Sequence, residues 1–137
     1  MIWGIQWDET LKWLIDTGEK TYAEIASDSR RWGNYKNNSF TYYTNTSKST
    51  SIKASGARTR IPSGAYEGAN ANNVFDLAGN VWDWTLESDG SGTGGYRYYR
   101  GGGFSNAGSS GPAAYRDDDG PVYSYDYVGL RCTLFIK

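Results

Sequence analysis

Apolar residues recur at helical spacing near the start of the chain. Trp7, Leu11, Leu14 and Ile15 fall on one stripe, which predicts a helix over residues 7–16 that Gly18 stops. Thr21 followed by Glu24 forms a capping-box pair and predicts a second helix over residues 22–29. After Trp32 the periodicity is lost. Residues 32–72 are rich in Asn, Ser, Thr, Gly and Lys, and only residues 37–43 suggest a short strand, so long ordered loops are expected there. Alternation returns at residues 81–86, where Val81, Asp83 and Thr85 point one way and Trp82, Trp84 and Leu86 the other. Trp82 and Trp84 are expected in the core. Two more strands are expected at residues 96–100 and 128–136, the last with Leu130, Cys132, Leu134 and Ile136 on one face packed into the sheet. Residues 90–95 read as a turn, and residues 101–127 as a long loop without periodicity.

Composition narrows the chemistry. A chain of 137 residues supports one domain with one core, and its abrupt start reads as the C-terminal part of a longer protein. The net charge of −1 gives no electrostatic footprint for nucleic acid. No apolar run approaches the roughly 20 residues a membrane span needs, and no basic segment leads into an apolar one as in a signal peptide. There is one cysteine, Cys132, and no histidine. An internal disulfide, Ser-His-Asp or Cys-His catalysis and histidine-based zinc sites are therefore excluded. Cys132 is expected as a small buried hydrophobe. The 12 tyrosines, 6 tryptophans and 18 glycines suggest a loop-rich domain around a tight aromatic core.

Four blocks carry a more specific signal. They are Asn73-Val-Phe-Asp-Leu-Ala-Gly-Asn-Val-Trp-Asp-Trp-Thr85, Arg97-Tyr-Tyr-Arg-Gly-Gly-Gly103, Ala113-Ala-Tyr-Arg116 and Val128-Gly-Leu-Arg131. In this order and spacing the chain resembles the formylglycine-generating (sulfatase-modifying) enzyme family, well over residues 73–132 and loosely before them. The resemblance implies an α+β fold of the C-type-lectin type over residues 1–137, with two short N-terminal helices packed on small twisted antiparallel sheets and long irregular loops. It implies copper-dependent oxidation by two cysteines, but aligning Arg116 and the Val-Gly-Leu-Arg block puts Gly108 and Ala113 at their positions, and neither side chain can ligate a metal. It also implies a calcium ion held by Asp76, Asp83 and the carbonyls of Gly79 and Val81, although Asp83 stands where the family usually has Glu. The same aspartates could instead orient their loop through backbone hydrogen bonds; otherwise no cofactor is expected. The arginines Arg100, Arg116 and Arg131 fit buried hydrogen bonding to backbone carbonyls.

The segment from Phe104 to Tyr127 offers a surface. Phe104, Ser105, Asn106, Tyr115, Asp117, Asp118, Asp119, Tyr123, Tyr125, Asp126 and Tyr127 use the residue types of antibody paratopes, where tyrosine gives rigid contact area and Ser and Asn adapt. The chain also resembles the variable proteins of diversity-generating retroelements, found in bacteriophages and bacteria. That likeness implies a fixed framework displaying diversified C-terminal positions, a protein or glycan receptor on another cell or particle, a phage-virion or bacterial-surface location, and an oligomer for avidity. The competing readings are a degenerate or unusual oxidoreductase of the formylglycine-generating type and a structural virion or surface module.

Overall fold

The computed structural model describes residues 1–90 and 95–132. Two helices open the chain: α1 (Gly4–Asp16) and α2 (Tyr22–Ala26). The apolar stripe of α1 does what its spacing predicts, with Trp7, Leu11 and Leu14 buried. The helix begins three residues earlier than expected because Gln6 reaches back to the Trp3 backbone N–H at 2.9 Å. The capping box of α2 forms, with Glu24 N–H donating to Thr21 Oγ1 at 3.2 Å and Thr21 N–H donating to Glu24 at 2.8 Å. This helix is shorter than expected: the Ser29 hydroxyl donates to the Glu24 carbonyl and the Trp32 indole N–H donates to the same oxygen, which turns the chain away.

The irregular region holds more pairing than its composition suggests. Strands β1 (Phe40–Tyr43) and β2 (Thr50–Lys53) form a hairpin, and β3 (Asn70–Ala71) and β4 (Val74–Phe75) a minimal one. Phe40, Ile61 and Ala65 make a satellite core, with the Phe40 and Tyr66 rings stacked at 3.9 Å. Lys53 is buried there, its ammonium donating to the carbonyls of Tyr35 and Asn38.

The main sheet has four strands: β5 (Trp82–Ser88), β6 (Arg97–Arg100), β7 (Arg116–Asp119) and β8 (Val128–Leu130), in spatial order β7-β6-β5-β8. β5, β6 and β7 are antiparallel, but β8 runs parallel to β5, so the sheet is mixed rather than antiparallel throughout. β7 lies inside the stretch read as loop; three aspartates in a row show no alternation, yet the strand pairs with β6 along its length. Ile2 bridges to Thr85 in line with β8. The predicted turn at residues 90–95 and the far end of the last predicted strand, with Leu134 and Ile136, fall largely outside the described residues.

The helix side of the sheet carries the main core, where Ile2, Trp7, Leu11, Leu14, Ile25, Trp32, Tyr35, Leu77 and Ala113 pack together. Three aromatic polar atoms pin loops to it. The Trp7 indole donates to the Ala113 carbonyl at 3.0 Å, the Trp32 indole to Glu24 at 3.1 Å and the Tyr35 hydroxyl to Gly101 at 2.9 Å. Between β4 and β5 the chain makes a tight knot, with Asp76, Gly79 and Asn80 in the left-handed region that Asp, Asn and Gly tolerate best. The Asn80 amide closes it by accepting from Ile61 N–H and Asn34 Nδ2 and donating back to the Ile61 carbonyl. A Cβ at Gly79 would lie 2.5 Å from the Asn34 carbonyl oxygen, so only glycine allows this approach. Among the described residues, no helix is long and apolar enough to cross a membrane.

Candidate functional site

The alternation of β5 sorts its side chains onto two faces. Asp83 and Thr85 point to the helix side and are buried. Trp82, Trp84 and Leu86 point outward, onto the face opposite α1. Cross-strand register adds Tyr99 beside Trp84 and Asp117 beside Tyr99, and Val128 and Leu130 on the other flank. Trp82 is nevertheless buried, because Tyr99 and Tyr115 pack edge-on against it at 5.0 and 5.8 Å. Trp84 is only half-buried, so its expected place in the core is corrected: it belongs to an outer aromatic face.

The expectation for the last strand is inverted in the same way. Leu130 is 59% exposed and Cys132 is exposed, so the buried role assigned to Cys132 does not hold. The inward position next to them is Arg131. The helix side presents the buried Asp83 carboxylate and the carbonyls of Phe75 and Asp76, and a guanidinium is needed there. Arg131 donates to both carbonyls at 3.0 Å and to Asp83 Oδ2 at 3.1 and 3.2 Å, and its cation stands 5.7 Å from the Trp7 ring centre. Burial pushes the Asp83 carboxyl above the usual carboxylate range, against the opposing pull of Arg131.

Of the other two arginines, Arg100 is buried but pairs with the Asp8 carboxylate on α1 instead of with carbonyls. Arg116 is about half exposed: it pairs with Glu87 and lies 3.9 Å over the Tyr98 ring, so it is not a buried carbonyl binder.

Residues 120–127 connect β7 to β8, which are the two edges of the sheet, and therefore cross the outer face as a strap. Tyr123, Tyr125 and Tyr127 stack in sequence, with centroid separations of 6.2 and 4.8 Å. Val122, Ser124 and Asp126, which alternate with them, are exposed. The Tyr125 hydroxyl donates to Asp119 Oδ2 at 2.7 Å, and this bond pushes its pKa up to about 12. Tyr99 beneath the strap is raised by burial and by the charges of Asp117 and Asp119. The structure thus brings Tyr115, Asp117, Asp119, Tyr123, Tyr125 and Tyr127 onto one face. Tyr115 and Tyr123 are exposed, whereas Tyr125 and Tyr127 are partly covered. Asp118 points to the other side of β7, opposite Tyr98, and Asp126 lies on the strap with its carbonyl accepting from Arg60.

Phe104, Ser105 and Asn106 sit elsewhere, in the turn that follows β6. Asn106 Oδ1 accepts from Gly103 N–H, its carbonyl accepts from Lys36 N–H, and Phe104 N–H donates to the Asn80 carbonyl. These contacts hold the turn. The signal that places Trp84 and the buried Tyr99 on the outer face is the alternation of β5 and β6, once the outward side is known.

Asp76 and Asp83 do share a small cavity of about 240 Å³, lined also by Ser63, Asn80, Val81 and Arg131. Asp76 Oδ2 accepts from Ser63 Oγ and Gly64 N–H, both at 2.8 Å, and its Oδ1 has no hydrogen-bond partner among the described residues. Calcium takes six to eight oxygens. Here Asp83 is already paired, the Asn80 amide oxygen is used twice, and Arg131 supplies a positive charge in the same space. Among the described residues no three acidic, histidine or cysteine side chains gather. This arrangement does not fit a calcium ion; Asp76 bonds a backbone N–H as the loop-orienting alternative expects, whereas Asp83 bonds the Arg131 side chain.

The positions aligned with the family's cysteines are Gly108 and Ala113, both buried. A Cβ on Gly108 would stand 2.5 Å from Asp28 Oδ1 and closer still to the Arg30 backbone nitrogen. Ala113 is enclosed in the core, with its N–H donating to Ser29 Oγ and its carbonyl accepting from Trp7.

The family model of the sulfatase-modifying factor enzyme 1-like domain matches residues 9–135. The chain belongs to this family, that of the formylglycine-generating enzymes. No curated protein and no solved structure matches it.

Proposed function

We propose that this chain is a non-catalytic binding domain of the formylglycine-generating family, with a C-type-lectin-like framework that presents a variable outer face, as in the variable proteins of diversity-generating retroelements. The observation that carries the reading is the strap: the tyrosine-rich segment crosses the sheet and gathers Tyr115, Tyr123, Tyr125 and Tyr127 with Asp117 and Asp119 over Trp84 and Tyr99. The closed positions of Gly108 and Ala113 support the absence of the family's oxidation chemistry.

Magnitudes favour a shared surface over a single anchor. A fully buried tyrosine removes about 150–250 Å², or about 4–6 kcal/mol gross at about 25 cal/mol per Å². Association costs about 4–15 kcal/mol before net affinity appears. Tyr115 and Tyr123 therefore need the half-covered Tyr125, Tyr127 and Trp84 beside them. The partner is a protein or glycan receptor on another cell or particle, met at a phage or bacterial surface, and oligomerisation of the domain would add avidity.

Sequencing the gene's C-terminal codons across many clones of its source population tests the diversified surface. Variation at 115, 117–119 and 122–127 with Trp82, Arg100 and Arg131 fixed is the expected result. A uniform segment overturns the retroelement reading and favours a structural module. Turnover of a cysteine-bearing peptide with copper and oxygen would overturn the non-catalytic reading and restore the oxidoreductase.

A further inference from the structure

A groove of about 530 Å³ opens at the corner of the sheet where the strap begins. Its walls come from both chain segments that run beside each other at β5. Ile2 pairs with Thr85 and points into the core, which turns Met1 and Trp3 outward alongside Trp84 and Leu86. Pro121 closes one side. Met1 is 44%, Trp3 55% and Leu86 39% exposed, so a sizeable apolar surface faces water.

Among the residues that line this groove, Arg97 is the one with a charged side chain. Arg97 begins β6 on the outward face, directly across from Asp119. That pairing would normally consume its charge, but Asp119 is occupied: Oδ2 accepts from the Tyr125 hydroxyl and Oδ1 from Gly120 N–H. Arg97 consequently has no hydrogen-bond or ion-pair partner among the described residues. An unpaired guanidinium beside two indoles and a leucine asks for a ligand with a carboxylate attached to an apolar group.

We propose that this groove binds the C-terminal end of a peptide or protein whose last residue is hydrophobic, with the terminal carboxylate on Arg97 and the side chain between Trp3, Trp84 and Leu86. A chain end fits an open groove better than a fatty acid does. A polypeptide can leave the groove into water through its polar backbone, whereas an alkyl tail of any length would remain half exposed, each buried CH₂ being worth only about 0.8 kcal/mol when fully covered. None of the strap's tyrosines lines the groove, although it shares Trp84 with the outer face and rests on the Tyr125–Asp119 contact that leaves Arg97 free.

The test uses the whole chain and N-acetyl-Gly-Gly-Leu as the free acid, compared with the same peptide as its C-terminal amide, by NMR titration of the indole N–H signals. The expected result is a shift of the Trp3 and Trp84 signals, with the acid bound about tenfold more tightly than the amide, in line with one charge-assisted contact. Arg97→Gln should abolish that preference while leaving the unliganded Trp signals in place. Equal affinity for acid and amide, shifts confined to other tryptophans, or tighter binding of octanoate than of the peptide acid would overturn the proposal. The acid–amide comparison is made on the unaltered chain, so it decides the matter even if the variant folds poorly. Shifts at the tyrosines of the strap without any at Trp3 or Trp84 would reject the groove while leaving the outer binding face intact.

Discussion

Arg131 shows how one residue can close several accounts at once. It satisfies two loop carbonyls, neutralises the buried Asp83 and covers Trp7. Arg131→Met leaves Asp83 buried without its partner and should destabilise the fold by about 3 kcal/mol, within the range for breaking a buried pair; urea unfolding measures it. Arg131→Lys should recover only a small part, since an ammonium lacks the planar fork that reaches all three acceptors. Tyr125 gives a second residue-scale prediction, this time in pH. Its hydrogen bond to Asp119 raises the phenol from 10.0 to about 12. Raising the folded pKa favours the neutral form, so the contribution to stability is complete below pH 10 and is lost as pH rises through about 12. Ultraviolet titration of Asp119→Asn should show one phenol moved back toward 10, and an unchanged titration would remove Asp119 as the cause.

At the scale of elements, the two positions that the sequence alignment sets against the family's cysteines are built as packing. Gly108 lets its turn lie against Asp28 and Arg30, and Ala113 fills the core between Trp7 and Ser29. Installing the cysteine pair with Gly108→Cys and Ala113→Cys should therefore cost about 1–3 kcal/mol through overpacking, with most of the loss in the Gly108→Cys single variant; differential scanning calorimetry reads both. Much of this level was legible in the chain. The α1 stripe, the Thr21–Glu24 cap and the alternation of β5 are local patterns, and local patterns survive folding. The helix side and the outer side of β5 were not legible, because Trp82, Trp84 and Leu86 look more core-like than Asp83 and Thr85 until Arg131 is seen to satisfy Asp83. β7 was hidden for a related reason: Asp117, Asp118 and Asp119 carry no hydrophobic alternation, and only pairing with β6 makes them a strand.

For the molecule as a whole, the sheet separates two jobs. Its helix side holds the core and the buried ion pairs, and its outer side carries the aromatic face. If calcium plays no part in holding these layers together, thermal unfolding in millimolar calcium and in chelator should give the same midpoint. A rise of several degrees with calcium would instead place the ion at Asp76, whose Oδ1 is the one buried carboxylate oxygen there without a hydrogen-bond partner among the described residues. The clustering of site residues was also partly legible. The tyrosines of residues 123–127 share a face because they alternate. Residues 104–106 belong to a different turn, a separation set by the long-range bonds from Asn80 and Lys36 that no local pattern announces.

The strap has a consequence for chain length. It must travel from the Asp119 end of β7 to the start of β8, crossing three inter-strand gaps while moving from the level of Ser88 to that of Trp82. At about 4.8 Å per gap and 3.3 Å per residue of strand, the diagonal is roughly 22–24 Å. Residues 120–127 in extended form reach about 30 Å from strand end to strand end. The path therefore uses most of the segment's reach, and the remainder is taken up in turns such as the one that Tyr123 N–H closes on the Gly120 carbonyl. A deletion of two residues uses up the remaining slack and should pull β8 from β5, whereas each doubling of length costs only about 0.6 kcal/mol in closure entropy. A lineage reshaping this surface can exchange its residues freely and can lengthen the strap, but it has almost no room to shorten it.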